Sequence, residues 1–115
     1  MQKLPCSRGT ARALALAVAL VVAGSAAHAG DTDAGKAKAQ TCAVCHGPLG
    51  ISTTPDAPNL AGQPVIYLAT QLRAYRSGAR KHEVMNVMAK PLTDEDITHL
   101  AAWFAAVRVE ATAPP

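Results

Sequence analysis

The sequence predicts a small all-α domain of three to four helices, and three observations carry that expectation. Cys42-Ala43-Val44-Cys45-His46 sets two thiols three residues apart with an imidazole directly after the second, and positions i and i+3 share one face of a helix. Apolar residues recur at spacings of three and four over 64–77 and again over 94–107, the period of an amphipathic helix. No stretch reads as a convincing strand.

The cysteine–histidine cluster organises the rest. A thioredoxin-like redox pair needs a βαβ setting, which the missing strands deny it. A zinc site draws four ligands, usually from two paired clusters, and no second Cys pair exists. The remaining reading is covalent attachment of a c-type haem. Both sulfurs reach the two vinyl groups of one porphyrin, and the next residue offers its imidazole to the iron. Composition agrees: 115 residues make one domain, and four aromatics (Tyr67, Tyr75, Trp103 and Phe104) are few for its core. Domains of this size usually need a staple, which a covalently held porphyrin supplies.

Residues 1–29 read as a secretory signal peptide. A basic start precedes an unbroken Ala/Leu/Val run from Ala13 to Ala23, and Ala27-His28-Ala29 offers a cleavage site before Gly30. The run is shorter than the roughly 20 residues of a spanning helix, so cleavage is expected over anchorage, leaving a domain at 30–115 with no stable membrane insertion. Cys6 leaves with the leader. Lys3, Arg8 and Arg12 carry the formal charge of +3, and the eight other basic residues match the eight acidic ones. Nothing supports a nucleic-acid footprint.

Within the domain, a first helix is expected from Asp31–Asp33, capped by Asp or Thr and running to the haem cysteines. Gly35 inside it costs about 1 kcal/mol against Ala; a close helix crossing or a frayed first turn would each account for it. Gly47–Pro64 is loop, rich in Gly, Pro, Ser, Thr, Asp and Asn. A second helix follows over Pro64–Ser77, with Pro64 at its first position, an apolar face of Tyr67, Leu68, Leu72 and Tyr75, and Gly78 as its stop. Arg73, Arg76, Arg80 and Lys81 form a basic patch at its end, either solvated or a docking surface. Residues 79–92 are expected to be irregular and hold Met85 and Met88, the only methionines besides the initiator. Thr93 with Asp94, Glu95 and Asp96 starts the last helix. It runs to Val107 with Ile97, Leu100, Ala101, Phe104 and Val107 on one face.

With these residues in view, the mature chain resembles class I cytochromes c, in particular the small bacterial periplasmic branch that also supplies the halves of dihaem cytochromes. The resemblance rests on Cys-Ala-Val-Cys-His-Gly at 42–47, Pro-Asn-Leu-Ala-Gly-Gln at 58–63 and Tyr-Leu-Ala-Thr-Gln-Leu at 67–72. Arg-Ser-Gly at 76–78, Met-Asn-Val-Met at 85–88 and Leu-Thr-Asp-Glu-Asp-Ile at 92–97 complete it. It implies a class I cytochrome c fold around one haem c, with thioethers from Cys42 and Cys45 and His46 as proximal ligand. Pro58 matches the proline whose carbonyl accepts the imidazole N–H, with Pro55 the fallback in another register. Leu60, Tyr67 and Tyr75 match pocket contacts, and Gly35 and Trp103 fall where the family's first and last helices cross.

Bare spacing leaves the distal thioether open between Met85 and Met88. The resemblance favours Met85, with Met88 packing as an adaptable apolar filler. His82 and His99 could in principle replace methionine but read as surface residues.

The implied function is single-electron transfer in the periplasm between protein redox partners, without catalysis or a small-molecule substrate. A His/Met pair suits it, because the soft thioether favours the reduced iron. The alternative is a cytochrome subunit held in an oxidoreductase complex. A haem enzyme or ligand sensor with an open distal side is a third reading, against which the two methionines argue.

Overall fold

The computed structural model describes residues 29–115; the expected leader falls, but for Ala29, outside them. The described residues form helices and loops with no strand. Helix α1 (Thr32–Lys38) leads through a 3-10 turn (Ala39–Thr41) into the short α2 (Ala43–His46), and a long loop precedes α3 (Val65–Ser77). Helices α4 (Glu83–Ala89) and α5 (Asp94–Ala106) complete the chain, and α5 packs against α1 and α3 while α4 packs on α3.

Three helix ends have a clear chemical cause. Asp31 caps α1 by accepting from the Asp33 and Ala34 amides at 2.8 and 3.1 Å. A reciprocal capping box opens α5: Thr93 Oγ1 accepts from the Asp96 amide while Asp96 Oδ2 accepts from the Thr93 amide, both at 3.0 Å. Such a cap is worth about 1 kcal/mol. Gly78 ends α3 in the left-handed region, φ +79°, where a side chain would be strained. The core gathers Ala39, Leu68, Ala69, Ile97, Leu100, Ala101 and Phe104. Ile97 and Leu100 are fully buried, each contributing about 1.5–3 kcal/mol in apolar transfer.

Gly35 settles between its two explanations. It is buried, and a Cβ there would overlap the His99 carbonyl oxygen and come within 2.8 Å of Trp103 Cβ. The glycine therefore marks the crossing of α1 and α5. Lys38 and Asp96 add an ion pair of 2.8 Å between the same helices, and Arg76 ties α3 to the start of α5 through Asp94 at 2.6 Å and the Leu92 carbonyl at 2.9 Å.

Four boundaries differ from the sequence reading. The first helix is broken by the 3-10 turn before Cys42, so the cysteines do not continue it. Pro64 sits one position outside α3 as its cap, with extended ψ of 136°, and Val107 is the extended cap that ends α5 rather than its last residue. Residues 79–92 are not wholly irregular: α4 lies inside them. Seven residues would be marginal as an isolated helix, and hydrogen bonds hold this one. His82 Nδ1 accepts from the Met85 amide at 3.3 Å, while Asn86 donates to the Tyr75 and Arg80 carbonyls at 2.7 and 2.8 Å.

Candidate cofactor site

A cavity of about 580 Å³ opens between α2, the 47–64 loop, α3, α4 and α5, within the size range of cofactor sites. Cys45 and His46 reach it from α2 and Cys42 from the cap that precedes α2, with Pro58 and Leu60 from the loop. Tyr67 and Tyr75 border it from α3, Met85 and Met88 from α4, and Leu100, Ala101 and Phe104 from α5. All nine residues singled out from the sequence thus border one space. His82 also lines it, whereas His99 does not. Tyr67 is 47% exposed despite its place in an apolar pattern, because it faces this cavity rather than the core.

His46 is the buried polar residue of the domain, and its Nδ1 stands 2.8 Å from the Pro58 carbonyl. A carbonyl oxygen only accepts, so Nδ1 carries the proton and Nε2 keeps its lone pair for a metal. Pro58, not Pro55, makes this contact. The loop is shaped to deliver it. Ser52 Oγ donates to the Cys45 carbonyl at 2.8 Å, the Ser52 amide donates to Asn59 Oδ1 at 2.7 Å, and the Leu60 amide donates to the Gly50 carbonyl at 2.7 Å. The sequence carries no signal for Ser52 and Asn59: a serine in a polar loop is uninformative, and nothing in Pro-Asn-Leu-Ala-Gly-Gln at 58–63 singles out the asparagine.

The two thiols differ. Burial pushes the Cys42 thiol up, offset in part by its hydrogen bond with Thr41, so it is a neutral thiol rather than a reactive thiolate. Cys45 is exposed at the rim, and neither is in a disulfide. That chemistry disfavours a redox dithiol or a thiolate–metal site. Among the described residues, no group of three or more His, Cys, Asp or Glu side chains could hold a metal ion. A cofactor bringing its own metal fits: two thiols at i and i+3, one imidazole with a free ring nitrogen, thioethers on another helix, and largely aliphatic and aromatic walls.

Residues 32–107 match the Cytochrome c family, and the chain belongs to that family. Cytochrome c-554(548) of Halomonas halodenitrificans is 45% identical over 80 residues, covering 67% of this chain and 96% of that one. Cytochrome c4 of Thiocapsa roseopersicina is 45% identical over 82 residues, which are 70% of this chain and 42% of the relative. The crystal structure of reduced recombinant cytochrome c4 from Pseudomonas stutzeri matches with a TM-score of 0.66 and 38% identity, over 70% of this chain and 47% of that one. The chain spans nearly all of the first relative and just under half of each of the other two. It has the class I cytochrome c fold and is an electron-transfer cytochrome, not an enzyme, with one haem c bound covalently through Cys42 and Cys45.

Proposed function

We propose that residues 30–115 are a periplasmic domain that passes single electrons between protein redox partners, with His46 as the proximal and Met85 as the distal ligand. The observation that carries this reading is the His46 Nδ1–Pro58 contact of 2.8 Å on the wall that also bears Cys42 and Cys45. When bound, the haem supplies the one-electron chemistry. The chain's own residues do the rest. The Pro58 carbonyl holds the imidazole in one tautomer and raises its basicity. Leu60, Leu100 and Phe104 keep water from the proximal and inner walls, which lowers the solvent reorganisation that accompanies a change of charge. Met85 is half-buried and Met88 is 40% exposed, so the first is the deeper thioether and the second serves as apolar cover.

Export is supported by the apolar run and the Ala27-His28-Ala29 site, with Gly30 as the first mature residue. Among the described residues no helix is long and apolar enough to cross a membrane. Val44, Val84 and Val87 are exposed, and Val44 and Val84 sit at the cavity mouth. An apolar rim of this kind suits the small, weak interfaces of redox encounters.

The test combines intact-mass analysis of the periplasmic protein with carbon monoxide added to its reduced form. A mass of residues 30–115 plus one haem, with no rapid spectral change, is expected. Rapid carbon monoxide binding would instead support a sensor or enzyme. Gel filtration of native extract separates a free carrier, which elutes as a small protein, from a subunit of a complex, which does not.

A further inference from the structure

Both methionines of the cavity stand on α4, so whatever holds that helix holds the distal thioether. Its packing supplies little: Ala89 is its one buried residue, and Val87 is exposed. Val84, Met85, Met88 and Ala89 border the cavity, which leaves the other side of the helix to be fastened by other means. Asn86 fastens it. Its Oδ1 accepts from the His82 amide at 2.7 Å, and Nδ2 donates to the Tyr75 and Arg80 carbonyls at 2.7 and 2.8 Å. An oxygen facing one N–H and a nitrogen facing two carbonyls fix which way the amide points and use both of its donors. Among the described residues no other α4 side chain hydrogen-bonds outside the helix. The far ends of these bonds are themselves held. The Tyr75 carbonyl, in the last turn of α3, also accepts from the Gly78 amide at 3.2 Å, and the Arg80 amide donates to the Ala74 carbonyl at 3.0 Å. One short side chain thus joins the end of α3, the turn after it and the cap of α4.

We propose that Asn86 is the clasp that keeps the distal thioether on the iron, a positioning residue that acts through α4. The inference rests on the His/Met reading above and holds for either methionine, since both ride on the same helix. An electron carrier must keep both axial ligands through each change of charge. Seven residues make a helix that is marginal alone, and elements with few buried contacts are the ones that open locally. Opening α4 withdraws the thioether and admits outside ligands to the distal side. The three hydrogen bonds of Asn86 oppose that opening without touching the cofactor.

The experiment compares the haem-bearing full chain with its Asn86→Ala, Asn86→Asp and Gly35→Ala variants. The readouts are the ferric thioether-to-iron charge-transfer band, the rate of carbon monoxide association with the reduced form, and Tm. Asn86→Ala should weaken the band and raise the association rate about tenfold, the scale of one or two lost hydrogen bonds. Asn86→Asp keeps the shape but sets a carboxylate oxygen against two carbonyls, so it should exceed Asn86→Ala in both. Gly35→Ala should lower Tm and leave band and rate unchanged. An Asp variant milder than the Ala variant overturns the proposal, as do Asn86 variants that lower Tm alone. If neither Asn86 variant binds haem, hydrogen exchange of the parent decides. The His82 amide should then be as protected as the amides of α4, and exchange at the rate of an unstructured amide overturns the clasp. A parent without the charge-transfer band would instead overturn the His/Met reading beneath it.

Discussion

Replacing Gly35 by Ala sets two opposed effects against each other. Alanine in place of a helical glycine should stabilise α1 by about 1 kcal/mol through backbone entropy. The added methyl would meet the His99 carbonyl, with His99 C at 2.7 Å and Trp103 Cβ at 2.8 Å. The obstructing atoms are mostly α5 backbone, which cannot rotate away, so the two helices must separate. Overpacking of this kind costs about 1–3 kcal/mol and occasionally more, and the upper end applies where backbone is the obstacle. The net loss is then about 2 kcal/mol, a drop in Tm of roughly 8–16 °C for a domain of this size. Thermal melts of the haem-bearing protein, followed by far-ultraviolet circular dichroism and by the Soret band, measure it. A Tm equal to or above that of the parent would refute the close-crossing argument, because propensity alone would then have won.

Two further outcomes follow from the fold. Cys42→Ser with Cys45→Ser should yield a chain with little bound haem and no cooperative melt, since among the described residues only two large side chains, Ile97 and Leu100, are fully buried, too little to offset the ordering entropy; calorimetry showing a cooperative apo transition would contradict this. Asp96 is held below the ordinary carboxylate range, first by Lys38 and then by the Thr93 amide. A lowered folded-state value means the unfolded chain binds the proton more readily, so this stability is present above about pH 4 and lost as pH falls through the folded value. The side chain is partly exposed and its Lys38 partner more so, so solvent screening should keep the effect below about 1 kcal/mol. Asp96→Asn should flatten the acid limb of a stability–pH curve, and an unaltered limb would count against the pairing.

The elements that were legible in the sequence carry their signals locally. Thr93 with three acids announces α5, Gly78 closes α3, and the cysteine–histidine spacing marks the cofactor. What escaped depends on tertiary partners. Helix α4 was invisible because His82, an uncommon cap, and Asn86, which reaches back to α3, do the work that propensity does not. The 3-10 turn at Ala39–Thr41 has no composition cue, since alanine, glutamine and threonine fit either helix type. Ser52 and Asn59 shape the Pro58 loop through contacts seven residues apart, beyond any periodic pattern. The Pro58 contact follows from family resemblance rather than from spacing, and Arg80 reads in the sequence only as part of a basic patch.

Ligation of the haem by the proposed pair, His46 and Met85, is read out by the ferric spectra of Met85→Ala and Met88→Ala. Met85→Ala should abolish the visible thioether-to-iron charge-transfer band and lower the potential, while Met88→Ala should keep the band and mainly lose stability. A band that survives Met85→Ala and disappears in Met88→Ala would contradict the claim.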